Sequence, residues 1–253
     1  MQQVQSGYLF KQPLIEGIIC RRRNRFVMEV EIEGRLYDCH CPVTVRIGQI
    51  VFRNIPCLLS VSPNANRRTA FTVEAISADP PGECQKAWIG INQNAANRYV
   101  EHFLRAGQLS EMIQADEPIK REPSFGHAKL DFLAGDVYLE VKTPLTQLPF
   151  EPQGHLLTDE QKGEFKSFDR LLKQIGVLSD CLKRHRRAIL LLCFMYEPPC
   201  SKPDMQWEQN RDALETIQAS IQSGLEIWQI HLQITPKGVY LRRYYDSTSL
   251  FRQ

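Results

Sequence analysis

The sequence predicts an α+β protein in two parts, an all-β first third followed by an α/β remainder, and three observations carry that reading. Residues 14 to 76 consist of short apolar-alternating segments punctuated by turn residues. The stretch from Ser77 to Cys84 then places Pro80, Pro81 and Gly82 together, a composition that interrupts regular structure. Beyond it, helical and strand patterns alternate, as in a sheet covered by helices. The boundary falls at this stretch and divides the chain into 1–83 and 84–253.

In the first part the predicted strands are Leu14–Cys20, Phe26–Ile32, Arg35–Cys41, Gln49–Phe52, Cys57–Val61 and Ala70–Ala75, with Glu33-Gly34 and Pro63-Asn64 as turns. After the boundary, Trp88–Ile91 reads as a short strand. Asn94–Arg105 reads as a helix with Tyr99, Val100, Phe103 and Leu104 on one side, stopped by Gly107. Lys129–Leu133 and Val137–Thr143 are two strands joined through Ala134-Gly135-Asp136, a hairpin-type connection. A long helix, Phe165–Arg184, precedes Ala188–Met195, a continuously apolar strand of the kind buried on both faces. A further helix, Trp207–Ser223, and two strands, Glu226–Ile234 and Val239–Arg243, complete the pattern.

A chain of 253 residues with 43% hydrophobic side chains can bury a substantial core. Its formal charge of +2 is nearly balanced, so affinity for a polyanion must come from local basic clusters and not from a global field. The opening residues lack a basic segment leading into an apolar run, and no stretch approaches the roughly 18 to 20 apolar residues of a membrane span. A soluble cytoplasmic protein without membrane partners is expected. The eight cysteines form no Cys-x-x-Cys pair and are expected to be reduced. Cys39-His40-Cys41 is no convincing zinc motif, because adjacent strand residues point to opposite faces and no second ligand pair follows at suitable spacing.

The chemistry concentrates between Lys129 and Thr143. Strand periodicity puts Glu140 and Lys142 on one face, with Leu139 and Val141 on the other. Across the preceding turn, Asp131 on the neighbouring strand can lie beside Glu140, so two carboxylates and an ammonium converge. Mg²⁺ is typically held by one or two carboxylates, with water and substrate phosphate completing its shell. Asp131 and Glu140 are therefore candidate ligands for Mg²⁺ or Mn²⁺, the Val141 carbonyl is a third, and Lys142 is placed to assist an attacking water or the charged transition state. Glu and Lys two apart are also common on solvated strand faces. What distinguishes this pair is its setting, a hairpin inside an α/β region followed by a long helix and a buried strand.

At this point the chain resembles the sugar fermentation stimulation protein A family, over nearly its whole length from about Leu14 to about Ile234. The matching text is Arg23-Asn24-Arg25-Phe26-Val27-Met28-Glu29-Val30, then His40-Cys41-Pro42, then Ile89-Gly90-Ile91-Asn92 with Ala96-Asn97-Arg98. Arg121-Glu122 with Gly126, Asp131-Phe132 and Glu140-Val141-Lys142 follow. The resemblance implies an N-terminal OB-like β-barrel and a C-terminal α/β domain similar to the PD-(D/E)XK, or restriction-endonuclease-like, nucleases. Family members are described as DNA-binding and classed as nucleases, with a regulatory role in sugar fermentation also proposed. Two segments depart from the family text. Val43-Thr44-Val45 replaces Asn-Thr-Gly, and Thr158-Asp159-Glu160-Gln161-Lys162 keeps only part of a Thr-Glu-Arg-Gly-Gln-Lys-His segment, with Gln161 the residue carried over.

OB-type barrels bind single strands through basic grooves and aromatic platforms. Arg21, Arg23, Arg25 and Phe26 are accordingly the expected nucleic-acid contacts, with Tyr37 and Phe52 as further platforms, although a charged edge strand also serves simply to block aggregation. Glu101, on the helix before the hairpin, and Glu122, just ahead of it, are additional acidic candidates. The expected function is metal-dependent phosphodiester hydrolysis of DNA or RNA. The rival is a non-catalytic DNA-binding regulator linked to sugar metabolism. A homodimer is compatible with either.

Overall fold

The computed structural model describes residues 6–43, 47, 50–64, 66–145, 148–149, 165–184, 187–200 and 211–252, with 165–170 described as backbone alone. After a short strand β1 (Tyr8–Leu9), the chain forms β2 (Ile15–Asn24), β3 (Val27–Ile32), β4 (Arg35–His40), β5 (Ile55–Val61) and β6 (Phe71–Ile76). β2 pairs antiparallel with both β3 and β5, β3 with β4, and β5 with β6. One parallel bridge, His40 to Thr72, joins β4 to β6 and closes the circuit into a five-stranded OB-like barrel. Alternation works as the sequence suggests: Met28, Val30, Cys39, Cys57, Leu59 and Val73 point inward and are fully buried. The predicted strand Gln49–Phe52 differs. Ile50 and Phe52 are buried, but residues 50–52 join no ladder, so their apolar side chains fill the core from a loop.

β7 (Ile89–Gly90) pairs with β6, and helix α1 (Gln93–Arg105) follows it. The second sheet contains β8 (Ile119–Arg121), β11 (Phe132–Ala134), β12 (Val137–Lys142), β13 (Arg187–Phe194), β14 (Glu226–Ile234) and β15 (Gly238–Asp246). β9 (Ser124–Phe125) and β10 (Ala128–Lys129) form a small separate hairpin, and α2 (Phe165–Leu182) and α3 (Arg211–Gln222) complete the regular elements. The sheet order is β1-β15-β14-β13-β12-β11-β8, parallel through β12, β13 and β14 and antiparallel elsewhere. β13 is buried along almost its full length, as a strand covered on both faces must be. One face, including Tyr138, Leu190 and Leu192, shares a continuous apolar cluster with α2, α3 and the barrel interior. The other, with Leu139, Val141, Ile189 and Leu191, packs on Tyr99, Val100 and Phe103 of α1.

The hairpin differs from the sequence expectation in one way. Lys129–Leu133 is not one strand: the chain leaves the ladder at Leu130 and Asp131, so Lys129 belongs to β10 and only Phe132 onward pairs with β12. The turn itself is tight, with Ala134 opposite Val137 and Gly135 at a φ of 55°, a conformation glycine adopts without a steric penalty.

Gly90 marks where the barrel sheet meets the second sheet. Its N–H donates to the Met195 carbonyl at 2.9 Å, and a Cβ placed on it would lie 2.5 Å from the Met195 Cβ. Gly90→Ala is therefore expected to destabilise the protein by ~1–3 kcal/mol through overpacking. Denaturant unfolding would check this, with an unchanged midpoint speaking against the contact.

Candidate metal centre

β12 carries the central residues because its period of two turns Tyr138, Glu140 and Lys142 toward α2 and leaves Val137, Leu139 and Val141 against α1. Glu140 lies only 2% exposed. Its Oε1 accepts a hydrogen bond from the Lys142 Nζ at 2.6 Å and another from the Gln174 amide of α2. Lys142 remains partly open, its side chain 25% exposed, so it reaches from the buried carboxylate to the surface.

Asp131 sits at the bend before β11, next to the Glu140 strand. Its Oδ2 accepts the Val141 backbone N–H at 2.8 Å, and its Oδ1 accepts the Asn97 side-chain amide of α1 at 2.7 Å. The carboxylate takes up the N–H that Val141 presents on the β11 side, where the backbone ladder has already ended. The break in the predicted strand thus has a local cause, and it ties Asp131 to the peptide linking Glu140 to Lys142.

Asp131 is thus bonded to Val141, and Lys142 to Glu140, at one end of the hairpin, with Glu140 turned toward α2 through Gln174 and Asp131 toward α1 through Asn97. The other acidic candidates are placed differently. Glu101 pairs with Arg105 at 2.9 Å and with Arg121 at 3.4 Å. Glu122, at a φ of 46°, donates its backbone N–H to the Asp131 carbonyl at 3.0 Å, but its carboxylate is exposed and faces Lys129 at 3.6 Å. Gln161 lies outside the described residues. Gln174 and Asn97 are the polar partners that sequence reasoning missed. A signal for Asn97 exists, since Gln93, Asn97, Glu101 and Arg105 recur every fourth residue along α1. Gln174 carries none beyond a polar position on an amphipathic helix.

Among the described residues, no group of three or more His, Cys, Asp or Glu side chains is arranged to hold a metal. The candidate donors on this hairpin are the carboxylates of Asp131 and Glu140 and the Val141 carbonyl. They are wholly hard oxygen, and Glu140 is held in a fixed orientation by cationic and amide donors. This chemistry suits a hard divalent cation that keeps part of its shell as water or substrate oxygen.

On the barrel, Arg21 and Arg23 both engage Glu29. Arg21 Nε lies 2.9 Å from its Oε1, Arg23 Nε 3.0 Å from its Oε2, and Arg23 also reaches Asp38 at 3.0 Å. The cross-strand register that sets Arg21 opposite Glu29 creates this pairing. Arg25 and Phe26 instead occupy the β2–β3 turn. Phe26 is 45% exposed, with the Arg25 guanidinium 4.7 Å from its ring centroid, and an Asn24 side chain fixes the turn by accepting the Phe26 N–H. Phe52 is buried, with Arg22 over its ring, and Tyr37 packs edge-on against Phe71. Cys39 and Cys41 are core residues, and burial raises the Cys39 thiol to about 12.

Comparison with known proteins agrees with this architecture. The family model described as the SfsA N-terminal OB domain matches residues 20–91, which contain the barrel from late β2 through β7. A sugar fermentation stimulation protein homolog from Gloeobacter violaceus is 30% identical over 248 residues, covering 94% of this chain and 95% of its own. The chain belongs to the sugar fermentation stimulation protein family. A homolog of the same description from Synechococcus sp. strain JA-3-3Ab is 27% identical over 245 residues, covering 94% and 95%. The fold is also that of Pyrococcus furiosus SfsA, with a TM-score of 0.71 at 19% identity and coverage of 94% of this chain and 97% of that one. Among the described residues, no helix is long and apolar enough to cross a membrane.

The family's barrel brings its own pH dependence here. Hydrogen bonds from Arg21 and then Arg23 hold the Glu29 carboxyl below its ordinary value of 4.5. A depressed folded-state pKa stabilises the fold above the unfolded value and loses that contribution as pH falls through the folded one. Thermal melts of wild type and Glu29→Gln are therefore expected to differ most at neutral pH and to converge as the pH drops below about 4. A constant difference across that range would argue against the pairing.

Proposed function

We propose that this protein is a cytoplasmic, divalent-metal-dependent phosphodiesterase acting on DNA or RNA. Asp131, Glu140 and the Val141 carbonyl would hold Mg²⁺ or Mn²⁺. The observation that carries the reading is the Glu140 carboxylate, 2% exposed inside the sheet yet shared by Lys142 and Gln174 and adjacent to the strand peptide held by Asp131. Burying a charge is expensive, and a solvated decorative pair would not need it.

When bound, the ion would polarise the scissile phosphate and lower the pKa of a coordinated water. Glu140 is pre-oriented by Lys142 and Gln174, so little reorganisation is needed to ligate. Lys142, anchored at Glu140 and open to the surface, would orient the water and neutralise charge developing on the phosphate oxygens. On the barrel, the exposed Arg25–Phe26 pair would supply a cation and a stacking face to an unpaired base, whereas Arg21 and Arg23 would have to leave Glu29 to contact phosphate. The related Pyrococcus furiosus protein was solved in complex with Ca²⁺, another oxygen-seeking cation.

The second reading is a non-catalytic DNA-binding regulator that has kept the nuclease-like site as structure. It is favoured by the hydrogen bonds that both Asp131 oxygens already accept from the protein. Labelled single- and double-stranded DNA and RNA, incubated with Mg²⁺ or Mn²⁺, separate the two. Cleavage is expected in wild type, is expected to fall at least about 100-fold in Lys142→Ala, and is expected to disappear in EDTA. Salt-sensitive binding without cleavage in any metal would select the regulator.

A further inference from the structure

One face of α1 runs along the metal-binding hairpin as a polar stripe of every-fourth residues, the spacing that stacks side chains along a single side of a helix. Gln93 donates its amide to the Thr143 carbonyl at 2.9 Å, immediately beyond Lys142. Asn97 donates to Asp131 Oδ1 at 2.7 Å. Glu101 takes Arg121 of β8, and Arg105 reaches the Ile119 carbonyl at 3.3 Å. Four successive levels of one helix thus index the end of β12, the bend before β11, and β8. The start of the helix is itself keyed to the barrel: Asn92 donates its side-chain amide to Glu74 Oε2 at 2.7 Å, and the Ile91 N–H donates to the Glu74 carbonyl at 2.9 Å.

We infer that α1 is the positioning element of the metal centre, with Asn97 setting the orientation of Asp131 and Gln93 fixing the strand end that carries Lys142. The inference rests on the metal-dependent reading above. Asp131 sits at a bend outside the β11–β12 ladder; its carbonyl accepts the Glu122 N–H, a bond that leaves the carboxylate plane free to turn. Two hydrogen bonds fix that plane: the Val141 N–H on Oδ2 belongs to the same hairpin, and the Asn97 amide on Oδ1 is the only one of the two that comes from a different element. With both in place, the remaining lone pairs of the carboxylate are directed by a helix whose other face is buried against the sheet through Tyr99, Val100 and Phe103. Partners of ligating carboxylates and imidazoles typically alter metal affinity by 10- to 100-fold. Asn97 would touch neither metal nor substrate. It acts through Asp131.

The test is calorimetric titration of the full chain with Mn²⁺, alongside thermal unfolding in EDTA. Asn97→Leu keeps the bulk and the helical preference while removing the donor. It is expected to weaken Mn²⁺ binding by ~10-fold or more, with its EDTA unfolding midpoint near that of wild type. Gln93→Met is expected to weaken binding several-fold, and it decides the matter should Asn97→Leu fail to fold. Asn94→Ala, one residue off the stripe and exposed, is expected to bind as wild type does. Unchanged affinity in both Asn97→Leu and Gln93→Met, with binding lost in Asp131→Ala, would overturn the positioning role and leave the metal reading standing. A wild-type protein that takes up no Mn²⁺ would overturn both.

Discussion

A carboxylate buried in an apolar sheet has to be compensated where it stands, and much of the second half of this protein is arranged around that requirement at Glu140. Unpaired, such a charge would cost several kcal/mol. The compensation comes from two directions: along the strand from Lys142, and across the layer from Gln174 on α2. Period two makes the first possible, since the lysine shares the glutamate's face. The second requires α2 to lie over β12 and β13, which it can do only because those strands run parallel and are joined by a crossover long enough to contain it. The ionic pair therefore depends on the parallel core and on the helix that covers it.

Asp131 solves a different problem. It is a side chain substituting for backbone, occupying an N–H at the point where a strand has stopped pairing. A β-ladder continued through that position would have satisfied Val141 by main chain and left the carboxylate without that anchor. Interrupting the ladder turns a structural hydrogen bond into one that also locates an acid.

Much of this arrangement is legible in the sequence, and the limits follow the range of the interactions. The barrel strands and the buried strand Ala188–Met195 announce themselves by local alternation or continuous apolarity, and the Glu140–Lys142 pair by its spacing. Barrel closure does not, because among the described residues it rests on the bridge between His40 and Thr72, far apart along the chain. The strand expected at Gln49–Phe52 rested on apolar residues that do enter the core, so burial was correctly signalled while pairing was not. The arginines at positions 21 and 23 read as nucleic-acid contacts because Glu29, the group that engages them, becomes their neighbour only once β2 and β3 have registered. Gln174 was invisible for a similar reason: its role is set by which strand lies under its helix.

The path of the chain adds a final consequence. Tyr8 and Leu9 extend the seven-stranded sheet at β15, with the Tyr8 ring edge-on to Tyr99 of α1 and Gly238 so close to the Tyr8 carbonyl that a side chain there would clash. The barrel is thus inserted within the sequence of its partner, between an edge strand and the helix against which that strand packs. Topologically it is a nested guest, both of its ends tethered to one host sheet. A cut at the proline-rich stretch would part the host from its own first strand, exposing the edge of β15.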